Sequence, residues 1–246
     1  MDPIRQFTVK PIVALHLFGL DLSFTNASLF MLIVVAAICL LMLVGTSQRA
    51  LVPGRLQSAA EMSYEFVASM VRMTSGTAGM EFFPLIFTIF MFILFCNVLR
   101  LVPGAFAITS QIFITASMAA GVILLVIGIG VYRHGFRFLK TFVPSGVTPF
   151  LLPFIVLVEI VSFATRPVSL SVRLFANMLA GDIVLKVMAG FVAALIGAGT
   201  FAVIAPFPFI GDIAMLAFEL LQAVLQAYVF AILTCVYLND AIHPGH

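Results

Sequence analysis

Apolar residues run through this chain in long blocks broken at regular intervals by short polar or Gly/Pro stretches. The first block, Leu29 to Val44, holds no charged or strongly polar side chain. About 20 apolar residues cover the hydrocarbon core of a bilayer, and the pattern predicts a span over 26–45. A polar break with Arg49, Pro53 and Arg55 follows. Over 56–75 the pattern changes. Leu56, Ala59, Ala60, Phe66, Val67, Met70 and Val71 alternate at helical spacing with Gln57, Glu61, Glu65, Ser69 and Arg72. That is an amphipathic helix lying at the interface or against other spans, ended by Gly76 and Gly79. Further spans are expected over 82–101, closed by Pro103-Gly104, and over 108–132, closed by the basic loop Arg133 to Lys140. Pro144, Pro149 and Pro153 punctuate the entry to a segment over 147–195, followed by a turn over 197–212 containing Pro206 and Pro208 and a last span over 213–238.

These elements predict an all-α membrane protein with five crossings and one amphipathic helix, folded as a single membrane domain over residues 1–246. Composition agrees: 63% of residues are hydrophobic and 9% charged, against about 25% charged in soluble domains. The net charge of +2 gives no reason to expect nucleic acid. Trp is absent and Phe abundant, so Phe replaces the usual Trp belt at lipid-facing positions. Cys39, Cys96 and Cys235 lie in apolar runs and read as small buried hydrophobes; they lack zinc-ligand spacing. The first 26 residues are interrupted by Asp2, Arg5, Lys10, His16 and Asp21 and do not read as a cleavable signal.

The segment over 147–195 is too long. As one helix it measures roughly 70 Å, against a core of about 30 Å. It is either steeply tilted or broken, with Pro167 and Gly181 as bends. Orientation follows from the basic residues. Arg49, Arg55, Arg72, Arg133, Arg137 and Lys140 fall on one side; Arg5, Lys10 and Arg100 fall on the other. The first side is cytoplasmic by the positive-inside rule, so the N-terminus lies outside and the C-terminus inside.

Arg173 sits within that long apolar tract. A guanidinium does not lose its proton in a protein, and one at the centre of a membrane helix costs roughly 2.5–3.5 kcal/mol on insertion scales. At 100° per residue, Glu159, Ser162, Arg166, Ser169, Arg173 and Asn177 share an arc of roughly 80°, a polar stripe that faces protein or water. Asp182 falls about 180° from Arg173, beside Lys186 at i+4. The last span carries its own stripe, Glu219, Gln222 and Gln226. The two segments run antiparallel, so these groups can meet across a hairpin, with Asp182 and Glu219 both on the outer half. Plainer roles exist. Glu159 can be an interfacial charge near a helix start, Arg166 its partner, Asp182–Lys186 a structural ion pair, and the amides helix-to-helix glue. Six charged groups in two apolar segments would nonetheless cost roughly 15 kcal/mol if uncompensated, too much for incidental placement.

At these residues the chain resembles the subunit a family of the F-type ATP synthases. The resemblance covers essentially the whole chain. It is carried by Arg166-Pro-Val-Ser-Leu-Ser-Val-Arg173-Leu-Phe-Ala-Asn177-Met-Leu-Ala-Gly-Asp182 and by Glu219-Leu-Leu-Gln-Ala-Val-Leu-Gln226-Ala-Tyr-Val-Phe. It implies a membrane stator in the bacterial inner membrane, facing a rotor ring of c subunits and joined to b-type peripheral stalk subunits. Arg173 matches the family's essential arginine. Asn177, Asp182, Glu219 and Gln226 match positions on the outer proton path, and Glu159 and Ser169 match positions on the inner one. The last two helices are expected to form a long tilted hairpin against the ring. Many bacterial members carry Glu in place of Asp182 and His in place of Glu219. Arg100 also departs from the pattern, and the resemblance assigns it no role.

The chain itself is not expected to be an enzyme, and neither cofactor nor metal is expected. No G-x-x-x-x-G-K-[ST] loop is present to bind nucleotide. The alternative is a stand-alone ion-coupled secondary transporter, which would show internal repeats; none is visible. A haem or zinc enzyme is disfavoured too. His16, His134, His243 and His246 lie near ends or loops, and H-E-x-x-H is absent.

Overall fold

The computed structural model describes residues 9–13, 16–17, 20–21, 23–47, 52–102, 104–135 and 151–242. Arg5, Arg49, Pro103, Arg137, Lys140, Pro144, Ser145 and the 147–150 start expected for the long segment lie outside these residues. The described chain is an all-α membrane protein. Its six helices are α1 (Asn26–Ser47), α2 (Arg55–Ser75), α3 (Phe83–Leu99), α4 (Ile112–His134), α5 (Leu152–Gly197) and α6 (Pro206–Ile242). Five of them, α2 excepted, are long and apolar enough to cross a bilayer once the short 3₁₀ turn Ala78–Phe82 is joined to α3.

Several boundaries differ from the sequence reading, for identifiable reasons. Ahead of α1 lie short antiparallel ladders absent from that reading, β1 (Pro11–Val13) with β4 (Phe24–Thr25), and β2 (His16–Leu17) with β3 (Leu20–Asp21). Such two- and three-residue strands leave no period-2 signal long enough to detect. Pro206 and Pro208, expected in a turn, form the first turn of α6. Proline fits there because the first helical N–H groups have no intrahelical acceptor anyway. The connection shrinks to a 3₁₀ turn at Gly199–Ile204. Pro167 lies inside α5, which continues through it as one 46-residue helix. Neither Pro167 nor Gly181 breaks the segment. At about 1.5 Å per residue it is close to 70 Å long.

The chain divides into two compact units. The first comprises Met1–Leu43, Met91–Gln111 and Leu174–Ala227. Its core includes Val34, Ile93, Phe106, Leu174, Met178 and Ala223. Leu174 and Met178, four residues apart, put the buried stripe of α5 on one face. On α6, Ala223 and Ala227 are fully buried at i and i+4, the small-residue spacing that lets membrane helices approach closely.

The second unit comprises Val44–Phe90, Ile112–Arg173 and Tyr228–His246. In it α2 buries Ala60, Val67, Met70 and Val71 and leaves Glu61, Glu65 and Arg72 exposed. Tyr64 packs edge-on against Phe83, with ring centroids 4.7 Å apart. Ser75 Oγ donates to the Cys235 carbonyl at 3.2 Å. The helix ends at Gly76, whose φ of 62° is open to glycine and strained for other residues. Cys96 and Cys235 are buried, but Cys39, expected inside, is exposed on α1. An isolated membrane helix has apolar residues all round, so its pattern does not say which face meets protein.

Candidate functional site

Arg100 follows the last turn of α3 and is the structural centre of the first unit's polar cluster. Its Nη1 pairs with Asp182 Oδ1 of α5 and its Nη2 pairs with Glu219 Oε2 of α6. The three side chains are 1%, 8% and 1% exposed. Arg100 Nη1 also donates to the Met178 carbonyl at 3.1 Å, and Ser110 Oγ donates to Asp182 Oδ2 at 2.9 Å. Both oxygens of Asp182 are therefore engaged by Arg100 and Ser110. The plainer alternative, Asp182 as an ion-pair partner of Lys186 alone, does not describe this arrangement. Nor does the placement of Arg100 among loop charges. The guanidinium fork suits it to hold two carboxylates at once. A carboxylate pair deep in an apolar unit needs such a counter-charge, because isolated buried ions are prohibitively costly.

Glu219 also needs room, and Gly181 supplies it. A Cβ built on Gly181 would overlap the Glu219 carboxyl group, so only glycine lets α5 and α6 close around that side chain. Glu219 Oε1 has no hydrogen-bond partner, and neither do Asn97 Oδ1, Arg100 Nε, Thr109 Oγ1 and Gln226 Nε2, all buried. Buried polar atoms normally have partners; this unit concentrates exceptions beside its charges. Two turns beyond Glu219 the amides meet, with Asn177 Nδ2 donating to Gln226 Oε1 at 3.3 Å. Asn97 Nδ2 reaches the Ala223 carbonyl at 3.5 Å. Asn177, Asp182, Glu219 and Gln226, assigned to one path from the sequence, are thus brought together. Arg100, Ser110, Asn97 and Gly181 join them. The sequence offered only a weak signal for Arg100: Asn97 and Arg100 are polar positions three apart at the end of an apolar span.

The second unit holds Arg173, Ser169 and Glu159. Arg173 and Ser169 are exposed. Among the described residues no hydrogen bond or ion pair reaches the Arg173 guanidinium. Val172, its neighbour in sequence, is exposed, and Ser169 lies one turn before Arg173 on the same face. Glu159 lies 3.8 Å from Arg166. Arg166 also donates to Asp240 at 3.2 Å and lies over the Tyr237 ring at 5.0 Å. Arg166 is thus a structural clasp to the end of α6, whereas Arg173 makes no ion pair among the described residues.

A protein-family model described as "ATP synthase A chain" matches residues 28–239. The chain belongs to the ATP synthase A chain family. Curated relatives named "ATP synthase subunit a" match along nearly their whole length. The one from Beijerinckia indica is 57% identical over 100% of this chain and 98% of its own. Those from Sinorhizobium medicae and Xanthobacter autotrophicus are 56% and 57% identical, over 99% and 100% of this chain and 98% and 99% of theirs. The chain is accordingly a non-catalytic, multi-pass subunit of a bacterial inner-membrane ATP synthase, with ATP synthesis and proton transport as the work of the complex.

Proposed function

We propose that this subunit is the stator wall of the proton path, providing two offset half-channels to the carboxylates of a rotating c-subunit ring. The observation that carries the reading is Arg173: a permanent cation, exposed, on the polar stripe of an otherwise apolar helix and without an ion-pair partner among the described residues. A charge so placed needs a counter-ion from outside the chain, and a rotor carboxylate supplies one. At an effective dielectric of 20, charges 4 Å apart attract by about 4 kcal/mol. That is enough to favour the ionised rotor carboxylate beside Arg173 while leaving it free to move on.

The outer half-channel is formed by Asn177, Asp182, Glu219 and Gln226, with Arg100 holding the two carboxylates. A proton passes from the outside through this cluster to the rotor carboxylate. Neutralised, the carboxyl can turn through lipid. It releases the proton near Glu159 and Ser169 on the cytoplasmic side. Arg173, between the two paths in sequence, repels a proton crossing directly. A membrane potential of 100 mV supplies about 2.3 kcal/mol per charge moved, so several protons must pass for each ATP. The skew of Arg and Lys supports a C-terminus in the cytoplasm. Burial of Arg100 strengthens that skew by removing it from the outer loops. The b-type stalk subunits hold the chain against rotation.

Cross-linking in the assembled complex tests the face assignment. Ser169→Cys, exposed beside Arg173, should form a disulfide with a cysteine placed one turn from the rotor carboxylate. Leu170→Cys, buried and about 100° around the helix from Ser169, should not. Cross-linking only from position 170 would place the ring on the wrong face and reject the reading.

A further inference from the structure

The first unit contains a cavity of about 530 Å³ whose wall carries Arg100, Asp182, Lys186 and Asp212 among apolar residues such as Ala189 and Leu216. Two of these charges, Arg100 and Asp182, belong to the buried cluster, so the cavity reaches that cluster directly. The other two lie further along the helices. Lys186 is one turn past Asp182 on α5, about 6 Å along the axis, and Asp212 is two turns before Glu219 on α6, about 10 Å. Because α5 and α6 run antiparallel, both displacements point toward the connection at residues 198–205. The cavity therefore extends from the ion cluster toward that connection. One carboxylate oxygen of Asp212 is buried without a hydrogen-bond partner. An apolar ligand pocket would not gather two acids and two bases, since each would lose its hydration on filling. Arg100 and Asp182 are already paired with each other; a water-accessible chamber leaves Lys186 and Asp212 within reach of water.

We propose that this cavity is the proton-capture vestibule of the subunit, and that Asp212 and Lys186 set its capture rate with opposite signs. The inference rests on the reading above, which places the 198–205 connection on the outer side. With all four groups ionised the wall is formally neutral. Asp212 draws hydronium ions toward Asp182 and Lys186 repels them, so the balance between the two tunes proton supply without either touching the rotor. Charged clefts with low-dielectric walls concentrate counter-ions and raise on-rates by about 10–10³-fold.

The test is the initial rate of ATP synthesis by the assembled complex in vesicles with the outer path facing an imposed acid pulse. Rates are normalised to the amount of this chain in the membrane. Asp212→Asn should slow synthesis by about tenfold, the lower end of that range. Lys186→Gln should not slow it, and the double variant should recover most of the loss. The differences should shrink between about 0.01 M and 1 M salt, as the screening length falls from about 30 Å to 3 Å. Leu216→Cys, on the cavity wall, gives a second readout that leaves every charge in place. With Cys39, Cys96 and Cys235 replaced by alanine, an impermeant cationic thiol reagent added from outside should slow synthesis more than its anionic counterpart. Equal rates for all charge variants, changes of the same sign, or reagents that act alike would overturn the inference. If those results came while Arg173→Ala still abolished synthesis, only the vestibule would fall. If Arg173→Ala sustained synthesis, the parent reading would fail.

Discussion

Replacing Arg100 by glutamine removes the cation shared by Asp182 and Glu219 and leaves a neutral amide donor on a shorter side chain. The two carboxylates are 8% and 1% exposed, so water compensates little. Removing one member of a buried ion pair typically costs about 3–5 kcal/mol, because the remaining charge is left without a partner. Even about 3 kcal/mol is roughly a 150-fold change in an equilibrium. Arg100→Gln should therefore lower the amount of the subunit retained in assembled complexes, and ATP-driven proton pumping in vesicles should fall further. Glu219→Gln added to Arg100→Gln should restore part of both, since one of the stranded charges disappears with it. The coupling should fall in the range of about 0.5–3 kcal/mol usual for groups in contact. Asp182→Asn combined with Glu219→Gln should likewise be less than additive. Immunoblots of purified complexes and quenching of a pH-sensitive dye measure the two quantities. If Arg100→Gln left assembly and pumping within twofold of wild type, or if all pairs were strictly additive, the cluster would not be a functional unit.

Three further outcomes are expected. Gly181→Ala should impair pumping because its methyl group overlaps the Glu219 carboxyl, and Glu219→Asp, shorter by one methylene, should partly rescue it; equal pumping with and without the second change would refute the steric argument. Glu159→Gln should have a milder effect, additive with Asp182→Asn, as measured by pumping rates of single and double variants. For topology, cysteines at Ile210 and Tyr132, 66% and 92% exposed, should label from the outside and the cytoplasm respectively; labelling from one face would contradict five crossings.

The parts of this molecule legible in sequence are those where chemistry and period agree. The spans showed themselves because apolar blocks of membrane length have few other uses. Asn177 and Gln226 were placed on one path by the family resemblance, and their direct contact is seen only in the structure. Arg173 stood out because its charge is permanent. The role of Arg100 was hidden, since an arginine at the end of a span reads as a loop charge until its burial is known. Gly181 was hidden as well. A glycine in a helix reads as a bend, and only the Glu219 carboxyl against it shows that it makes room. The start of α6 was misplaced because Pro206 and Pro208 signal a turn and a first helical turn equally well.

The central claim is that Arg173 couples rotor movement to proton passage, and one measurement bears on it most directly. Reconstituted complexes carrying Arg173→Ala, assembled in normal amount, are assayed in the same vesicles for ATP-driven proton uptake and for passive proton leak. The account predicts that driven uptake disappears, while leak through the membrane sector rises because no fixed cation separates the two paths. Arg173→Lys should also lose most uptake, since a compact ammonium can lose its proton when buried. Near-normal uptake in the alanine variant, with no added leak, would contradict the account.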